Sequence, residues 1–384
     1  MKILFLSHTA TGGDFVVGSH HLSRAMVRMG HRVAHLSPPV TPAHLLRLGA
    51  PFERQRIARW FAGGACVHGV IDLVPFSPLP WALCRRLSRR PHKLFGALTN
   101  ASAMRGLAGQ SFATPDLVCI DEPRLAAIAD AFPRARLVYR PTDLYAQIRD
   151  DRSVLAAERE LVDRAHAFVA TSEPVADHLR NLGAEDVLVI ENGVDVENFL
   201  DAPIASAPPE LADLAPIAIY AGAFDQRFGV DLLHAVAQNL PDVTFAMIGP
   251  ADTHIRARFA ALANVRFLGP VRFEDLPRYL RHASVGLLPL SSHPSNAGRS
   301  PMKLYEYAAS GLPVVASWTP ELARRALPFV QLADAAQNFA DCLRRALVGD
   351  GRAADGVDIA RGQSWAVKSQ QLLDFVCGMG AVAR

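Results

Sequence analysis

The 384-residue sequence predicts an α/β protein of two domains, each built on a parallel β-sheet. Three observations predict this class. Short apolar runs alternate with amphipathic helical stretches along most of the chain, which is the pattern of βαβ units. The length is about twice that of an ordinary single-core domain. The stretch DAPIASAPPELADLAP, residues 201–216, is rich in proline and alanine and indicates a linker.

The first half begins with KILFLS, whose apolar run predicts a buried strand. A glycine-containing turn, HTATGGD, follows, and SHHLSRAMVRMG then has a helical pattern. HRVAHLS, DLVCID, RLVYR and AFVATS are further strands, with helical patterns between the later ones. Residues 38–115 contain many prolines and no clear period, so they predict insertions and short helices.

The second half repeats this alternation. Its strands are IAIYAGAF, VTFAMIG, VRFLGPV, VGLLPL and PVVAS. A helix is expected at about Asp334–Leu347, and a last helix around SWAVKSQQLLDFVCGM. Ligands of parallel sheets bind outside the carboxyl ends of the strands, so loops at those ends are the candidate sites.

Composition excludes several classes of protein. Half of the residues are hydrophobic, a fifth are charged and the net charge is +3, which indicates a globular protein and not a nucleic-acid binder. The five cysteines are scattered without a CxxC pair, so a reducing compartment is expected. Neither a signal peptide nor a membrane-spanning run is predicted, so we expect a cytoplasmic protein, soluble or peripheral on the inner face of the membrane.

One segment combines a helix start with two charges. In SPMKLYEYAASGLPVVAS, Ser300 predicts an N-cap, Pro301 the first helical position and Gly311 the residue after the helix. Lys303 and Glu306 then share one face. A lysine near the positive end of a helix dipole is unfavourable unless an anion lies there too. The alternative is a solvated salt pair, so the helix alone leaves both interpretations open.

These motifs resemble a known family. AIYAGAF, VTFAMIGP, NVRFLGPV, EDLPRYLRHASVGLLPL and SPMKLYEYAASGLPVVAS resemble the nucleotide-sugar domain of GT-B glycosyltransferases, namely family 4, TuaH-like enzymes and GumK-like xanthan glucuronosyltransferases. LVYRPTDLY resembles the GumK-like segment that carries the catalytic aspartate, and ENGVDVENF is similar to the interdomain junction of family 4. The resemblance covers most of residues 1–20 and 115–377.

The resemblance implies a GT-B fold of two Rossmann-like domains that face a cleft. Residues 1–198 would bind the acceptor, residues 199–360 the nucleotide-sugar, and residues 361–384 would form a helix that packs back on the first domain. The implied reaction transfers a sugar, with glucuronate as one candidate, from a UDP-linked donor. The implied acceptor is a lipid-linked or polysaccharide glycan in cell-surface or exopolysaccharide assembly.

The resemblance also assigns donor-contacting residues. Lys303 would neutralise the leaving diphosphate, and Glu306 would hold the ribose hydroxyls. Arg299 would contact a phosphate or a charged sugar of the donor, and an ordinary solvated position in the loop is an equal alternative. The remaining expected substrate-binding residues on the donor side are Gly222, Phe224, Gly269, Val271, Ser300 and Met302. Gly12 and Gly13 are expected on the acceptor side, where they would border the donor phosphates when the cleft closes.

The catalytic base is expected at the end of a strand in the first half. Asp143 matches the family aspartate, although it could be an ordinary turn residue. Asp121 and Glu122 are reserve candidates, and one of them is expected to cap a helix. Gly298 stands where retaining family 4 enzymes usually carry an acid, which favours inversion. A retaining transferase, a nucleotide-sugar epimerase and a non-catalytic sugar-binding protein remain alternatives.

Two further expectations concern cofactors and partners. No Asp-x-Asp pair occurs in the chain, so we expect no essential metal and no cofactor besides the nucleotide-sugar co-substrate. Residues 78–98 mix Trp81, leucines and Phe95 with four arginines and Lys93. This mixture suits a helix on an anionic membrane, and a solvated basic helix is the alternative.

Overall fold

The computed structural model describes residues 1–13, 16–47, 49–201, 206–212, 214–349 and 354–378. The chain divides into two compact units. The first unit combines Met1–Glu191 with the chain from Ala366 onward, and the second is Asn192–Trp365.

The first unit contains an eight-stranded sheet in the order β3-β4-β2-β1-β5-β6-β7-β8. β3 pairs antiparallel with β4, and the other pairs are parallel. Side chains on both faces of β1 are buried because helices cover both faces of the sheet. The strands are β1 Lys2–Leu6, β2 Arg32–Leu36, β3 Ala65–Val67, β4 Val70–Leu73, β5 Leu117–Ile120, β6 Arg136–Tyr139, β7 Ala167–Ala170 and β8 Val187–Val189.

The helices of the first unit follow the strands as the alternating pattern predicts. They are α1 Gly18–Arg28, α2 Pro42–Leu45, α3 Pro51–Ala62, α4 Trp81–Leu87, α5 Pro91–Gly109, α6 Tyr145–Ile148, α7 Leu155–Arg164 and α8 Glu173–Asn181, with 3-10 turns at Pro123–Ala131 and Arg152–Val154. Residues 38–115 therefore hold four helices and an antiparallel strand pair, and α5 is much longer than the short helices predicted there.

The second unit contains a six-stranded parallel sheet in the order β11-β10-β9-β12-β13-β14. Its strands are β9 Ile217–Ala221, β10 Thr244–Ile248, β11 Val265–Gly269, β12 Val285–Leu288, β13 Val314–Ser317 and β14 Val330–Ala333. Its helices are α9 Val196–Phe199, α10 Val230–Asn239, α11 Thr253–Arg258, α12 Leu276–Leu280, α13 Lys303–Ala309, α14 Pro320–Arg325, α15 Ala336–Val348 and α16 Ala354–Gly362, with 3-10 turns at Pro209–Leu211 and Pro294–Asn296. The sequence did not predict α16, and the predicted linker lies partly outside the described residues.

The last described helix is α17, Trp365–Gly378. In the first unit, the guanidinium of Arg136 donates a hydrogen bond to the carbonyl of Val376. Leu372, Leu373 and Val376 are buried. Phe375 is only half-buried, because Val376 occupies the inward-facing position. Within the described ranges, no helix is long and apolar enough to cross a membrane.

Candidate functional site

Three neighbouring strands of the second unit end in glycine. Gly222 follows β9, Gly249 follows β10, and Gly269 is the last residue of β11. The Gly222 amide donates to the Ile248 carbonyl at 2.9 Å, and the Gly249 amide donates to the Gly269 carbonyl at 2.9 Å. A Cβ atom at Gly249 would overlap the Gly222 carbonyl, so only glycine allows these loops to lie this close. The result is an edge of closely packed backbone at the carboxyl ends of the strands.

The Lys303 side chain lies against this edge. A Cβ atom at Gly222 would overlap both Cε and Nζ of Lys303, and the ammonium lies 5.5 Å from the centre of the Tyr220 ring. No carboxylate among the described residues lies within ion-pair distance of Lys303. The solvated salt pair with Glu306 is therefore absent from the described structure, although the two charges influence each other.

The helix that carries Lys303 starts later than expected. α13 begins at Lys303 with Met302 as its N-cap, so the prediction of Ser300 as N-cap and Pro301 as first residue was wrong. The Ser300 hydroxyl instead accepts a hydrogen bond from the Asn192 amide at 3.1 Å and one from Arg325 at 3.0 Å. These bonds fix the segment ahead of Lys303. The expected glycine after the helix is confirmed, since Gly311 has φ 75°.

Charged groups surround the Lys303 ammonium. Arg299 and Arg227 both disfavour the charged form of Lys303, whereas Asp225 and Glu306 favour it. Arg227 forms an ion pair with Asp225 at 2.6 Å. An anion beside Lys303 would join the groups that favour its charged form.

Burial shifts both charges on α13 toward their neutral forms. Burial, reinforced by Arg299, lowers the pKa of Lys303 to about 7. Burial raises the pKa of Glu306 to about 7, against the opposing effect of Lys303. Glu306 is only 8 % exposed, so removal from water accounts for the direction of its shift. Burial therefore disfavours the Lys303 ammonium, and a nearby anion would favour it.

The other predicted donor residues lie around the same strand ends. Phe224 packs on Tyr220 at 5.3 Å and on Phe267 at 5.6 Å between ring centres. Val271 follows β11 and packs against the core. Met302 is half-buried directly before Lys303. Together with Gly222, Gly269 and Arg299, these residues belong to one end of the second unit's sheet.

In the first unit, Asp143 lies between β6 and α6. The N-cap of α6 is Leu144, which makes no side-chain capping bond. The loop is fixed by its neighbours, since the Tyr145 hydroxyl lies 3.0 Å from the Thr142 hydroxyl and donates to the Asp121 carbonyl at 2.5 Å. The Thr171 hydroxyl also donates to the Thr142 carbonyl at 2.9 Å. Asp143 is half-buried at the end of a rigidly held strand.

The reserve carboxylates, Asp121 and Glu122, are held in buried ion pairs. Asp121 pairs with Arg140, while Glu122 pairs with Arg124 at 2.8 Å and with Arg149 at 2.8 Å. Burial opposes ionisation of Glu122, but the two guanidiniums hold its pKa well below the ordinary value. Glu122 also accepts the Arg124 amide as a helix cap, which confirms the capping prediction. Both carboxylates therefore have structural partners that a catalytic base would have to release.

The loop that carries Gly12 and Gly13 is also fixed by buried charges. Arg59 donates to the Thr11 carbonyl at 2.6 Å and pairs with Asp72, which accepts from the Thr11 hydroxyl at 2.9 Å. A Cβ atom at Gly12 would lie 2.6 Å from the Gln55 side chain. This loop and Asp143 lie in the first unit, whereas Lys303 lies in the second.

Comparisons with known proteins agree with this geometry. A model described as Glycosyltransferase Family 4 matches residues 16–198, and a model described as Glycosyl transferases group 1 matches residues 215–348. The two matches cover both units. Together the two matches support a GT-B glycosyltransferase. The predicted resemblance to TuaH-like family 4 enzymes is thereby confirmed.

One curated relative of this glycosyltransferase is TuaH of Bacillus subtilis (strain 168), whose name assigns it to teichuronic acid biosynthesis. The two are 26% identical over 225 residues, 54% of this chain. The match spans 57% of the length of TuaH, so it does not assign the activity of the whole TuaH protein to this chain.

Solved structures show the same fold. Sucrose-phosphate synthase from Thermosynechococcus elongatus has a TM-score of 0.74 at 19% identity, with 100% of both chains covered. Anabaena HepE in complex with UDP and glucose has a TM-score of 0.68 at 18% identity, covering 98% of this chain and 100% of that one. The predicted fold class, two α/β domains with parallel sheets as in GT-B enzymes, is confirmed.

Several residues that surround Lys303 and Asp143 were not predicted from the sequence. Asp225 and Arg227 follow the predicted glycine turn in GAFDQRFG, and their spacing of two residues was the available signal. Arg140 is the last residue of the run RLVYR, three residues before Asp143. Arg149 could not have been found, because its pairing with Glu122 joins residues 27 positions apart.

Proposed function

We propose that this glycosyltransferase transfers a sugar from a UDP-linked donor to a lipid-linked or polysaccharide acceptor, with inversion, during cell-surface or exopolysaccharide assembly. UDP is supported by the complex of Anabaena HepE, and the cell-surface role by the name of TuaH. Glucuronate is one candidate for the sugar. The observation that carries the proposal is the Lys303 ammonium, which lies on the Gly222 backbone and has no carboxylate within ion-pair distance in the described structure.

In this proposal the second unit holds the donor. The diphosphate lies beside Lys303 and Arg299, where its negative charge favours the Lys303 ammonium. Glu306 accepts hydrogen bonds from the ribose hydroxyls, and the main chain near Gly269 and Val271 contacts the base. Lys303 and the surrounding arginines supply the positive charge, so we propose that no metal is essential.

The chemistry is a single displacement. The acceptor hydroxyl oxygen bonds to the anomeric carbon while the bond from that carbon to the diphosphate oxygen breaks. Negative charge grows on the departing diphosphate, where Lys303 stabilises it. Asp143 takes the proton of the hydroxyl, which makes the oxygen a better nucleophile. Gly298 provides no carboxylate at the position of the retaining enzymes, which supports inversion.

A thermal-shift screen tests the proposed donor. A ligand that binds the folded state raises stability by about 2.7 kcal/mol at a hundredfold excess over Kd. We expect UDP and at least one UDP-sugar to raise Tm by roughly 5 °C, and uridine, ADP-glucose and GDP-mannose to raise it less. Lys303→Ala should reduce the shift with UDP by about half or more. A larger shift with ADP-glucose or GDP-mannose would overturn the assignment of UDP.

UDP binding should also take up a proton. Burial, reinforced by Arg299, lowers the pKa of Lys303 to about 7, so much of this lysine is neutral at pH 8. The diphosphate favours the charged form and raises that pKa, so affinity falls as pH rises above 7. Calorimetry at pH 8 in HEPES and Tris buffers should give different binding enthalpies. Equal enthalpies for the wild type, or the same difference in Lys303→Ala, would contradict this coupling.

The proposed membrane contact needs different anchors from those expected. Trp81 and Phe95 were the predicted apolar anchors, but Trp81 packs edge-on against Phe95 at 5.5 Å and its indole donates to Asp151 at 2.9 Å. Phe95 is only 4% exposed. The prediction that these two rings are membrane anchors was therefore wrong, because both pack against the core of the first unit.

Other side chains of residues 78–98 still fit an anionic membrane. Leu83 and Leu87 are 40% and 67% exposed on α4. The nearby side chains of Arg86, Arg89 and Arg90 are exposed. No carboxylate within the described ranges forms an ion pair with any of the three arginines. We propose that these leucines and arginines contact the anionic lipid surface that would carry a lipid-linked acceptor.

Reversal of three charges tests this contact. The variant with Arg86, Arg89 and Arg90 changed to Glu should stop sedimenting with phosphatidylglycerol vesicles, since each basic residue near such a surface contributes about 1 kcal/mol. The matched control changes Arg256, Arg258 and Arg266 of the second unit to Glu. Equal losses of vesicle binding in both variants would indicate general charge attraction. Unchanged vesicle binding of the variant at Arg86, Arg89 and Arg90 would show that residues 78–98 form a solvated helix.

A further inference from the structure

The start of α13, where Lys303 lies, is not held in place by the helix itself. α13 has only seven residues, and its N-cap, Met302, makes no side-chain capping bond. Residues 297–302, directly ahead of it, contain neither helix nor strand. A short helix without a cap is marginal on its own, so its first turn depends on contacts with the rest of the protein. Other parts of the second unit must therefore fix the position of Lys303.

Ser300 makes these contacts. Its hydroxyl accepts hydrogen bonds from the Asn192 main-chain amide at 3.1 Å and from Arg325 at 3.0 Å, and its carbonyl accepts the Asn192 side-chain amide at 2.8 Å. Arg325 is in turn paired with Glu321 at 2.9 Å. Ser300 is only 5% exposed, so water competes little for these bonds. Asn192 thus holds Ser300 through both its main chain and its side chain.

Asn192 belongs to a segment that is itself firmly attached. It is the first residue of the second unit, which ends at Trp365. Two residues after Asn192, Val194 forms a parallel bridge with Ser364. The Val194 amide donates to the Gln363 carbonyl at 3.0 Å, and the Val194 carbonyl accepts the Trp365 amide at 3.2 Å. The two segments at which the chain enters and leaves the second unit are therefore bonded to each other and can serve as an anchor.

The Asn192 side chain has a feature that stability does not explain. Its Oδ1 atom is buried and has no hydrogen-bond partner in the part of the chain that the structure describes. A buried polar atom without a partner is costly. An apolar residue of similar size would avoid this cost but would lose the bond to the Ser300 carbonyl. That bond is therefore what asparagine provides at this position.

We propose that Asn192 is a positioning residue for the diphosphate site. Through Ser300 it holds the start of α13, and with it the Lys303 ammonium, against the Gly222 backbone. A displaced ammonium would lengthen its hydrogen bond to the diphosphate, and such charge-assisted bonds are strong only when they are short. The inference rests on the proposed donor site, and it assigns a role there to a residue that acts without contacting the donor.

Calorimetric titration of the full chain with UDP and with uridine tests this role. Asn192→Ala removes the side-chain bond, so UDP should bind about three- to tenfold more weakly, the effect of one hydrogen bond. Uridine, which has no phosphate, should bind as it does to the wild type. In the Lys303→Ala background the same substitution should weaken UDP about twofold or less, because the group that Asn192 positions is gone.

A matched control and a second variant are available in the same unit. The Asn198 side chain also donates one hydrogen bond to a main-chain carbonyl, that of Phe273 at 3.0 Å, and Asn198→Ala should leave the affinity for UDP unchanged. Ser300→Ala removes the hydroxyl that accepts from Asn192 and Arg325. It should give the same pattern of UDP and uridine binding, and it replaces Asn192→Ala should that variant fail to fold.

Three results would overturn the proposal: unchanged UDP affinity in Asn192→Ala, an equal loss of uridine affinity, or the same loss of UDP affinity with and without Lys303. A wild-type affinity of Lys303→Ala for UDP would instead contradict the proposed donor site, and the positioning role with it. The single and double variants therefore distinguish the two failures.

Discussion

Lys303→Ala should lower the turnover number roughly 10²–10³-fold, the usual cost of removing one preorganised electrostatic group from a transition state. The reason is the charge that grows on the departing diphosphate beside the Lys303 ammonium. UDP release from the cognate donor, followed at saturating donor and acceptor, measures it. Arg258→Ala is the matched control, since that exposed arginine of the second unit pairs with the exposed Asp231.

Lys303→Arg should restore little of this activity. The Lys303 Cε and Nζ atoms already fill the space beside Gly222, and a planar guanidinium is larger than an ammonium. Low activity of Lys303→Arg would therefore show that the reaction needs the positive charge at the exact place of the Lys303 ammonium, and not the charge alone. Near-normal turnover in Lys303→Ala would remove Lys303 from the mechanism.

Asp143→Asn should lower turnover roughly 10²–10⁴-fold while donor binding stays normal, because asparagine keeps the shape but cannot accept the proton. Turnover and UDP affinity are measured on the same preparation. ¹H NMR of the product should show the inverted anomeric configuration. Asp177→Asn, an exposed carboxylate of the first unit that pairs with Arg180, should be near wild type.

Asp121→Asn and Glu122→Gln should act differently from Asp143→Asn. Breaking one partner of a buried ion pair costs about 3–5 kcal/mol, so these variants should unfold at lower temperature. Their folded fraction should retain much of the activity. An active Asp143→Asn enzyme, or a product that retains the donor configuration, would show that Asp143 is not the base of an inverting reaction.

The sequence predicts most of the framework because strands and helices have different apolar periods. The runs that begin at Lys2 and Ile217 became central parallel strands, and Gly311 ended α13 as expected. Each of these features depends on residues adjacent in the chain. Such local patterns are what a single sequence records.

Features that depend on distant residues were missed. α5 contains Gly96, which weakens a helix prediction, yet a Cβ atom there would lie 2.5 Å from Ala127. The helix is held by close packing on the turn Pro123–Ala131, which the local sequence cannot show. Likewise, Ser300 is not an N-cap because Asn192, 108 positions away, binds its hydroxyl. In both cases tertiary contacts override the local preference.

The central claim, that the Lys303 end of the second sheet binds a nucleotide diphosphate, is tested most directly by calorimetric titration of UDP. A charge-assisted hydrogen bond contributes about 1.5–3 kcal/mol, so Lys303→Ala should weaken UDP roughly 10- to 150-fold. Uridine, which has no phosphate, should bind the wild type and the variant equally. Equal affinity of the wild type and Lys303→Ala for UDP would contradict the account.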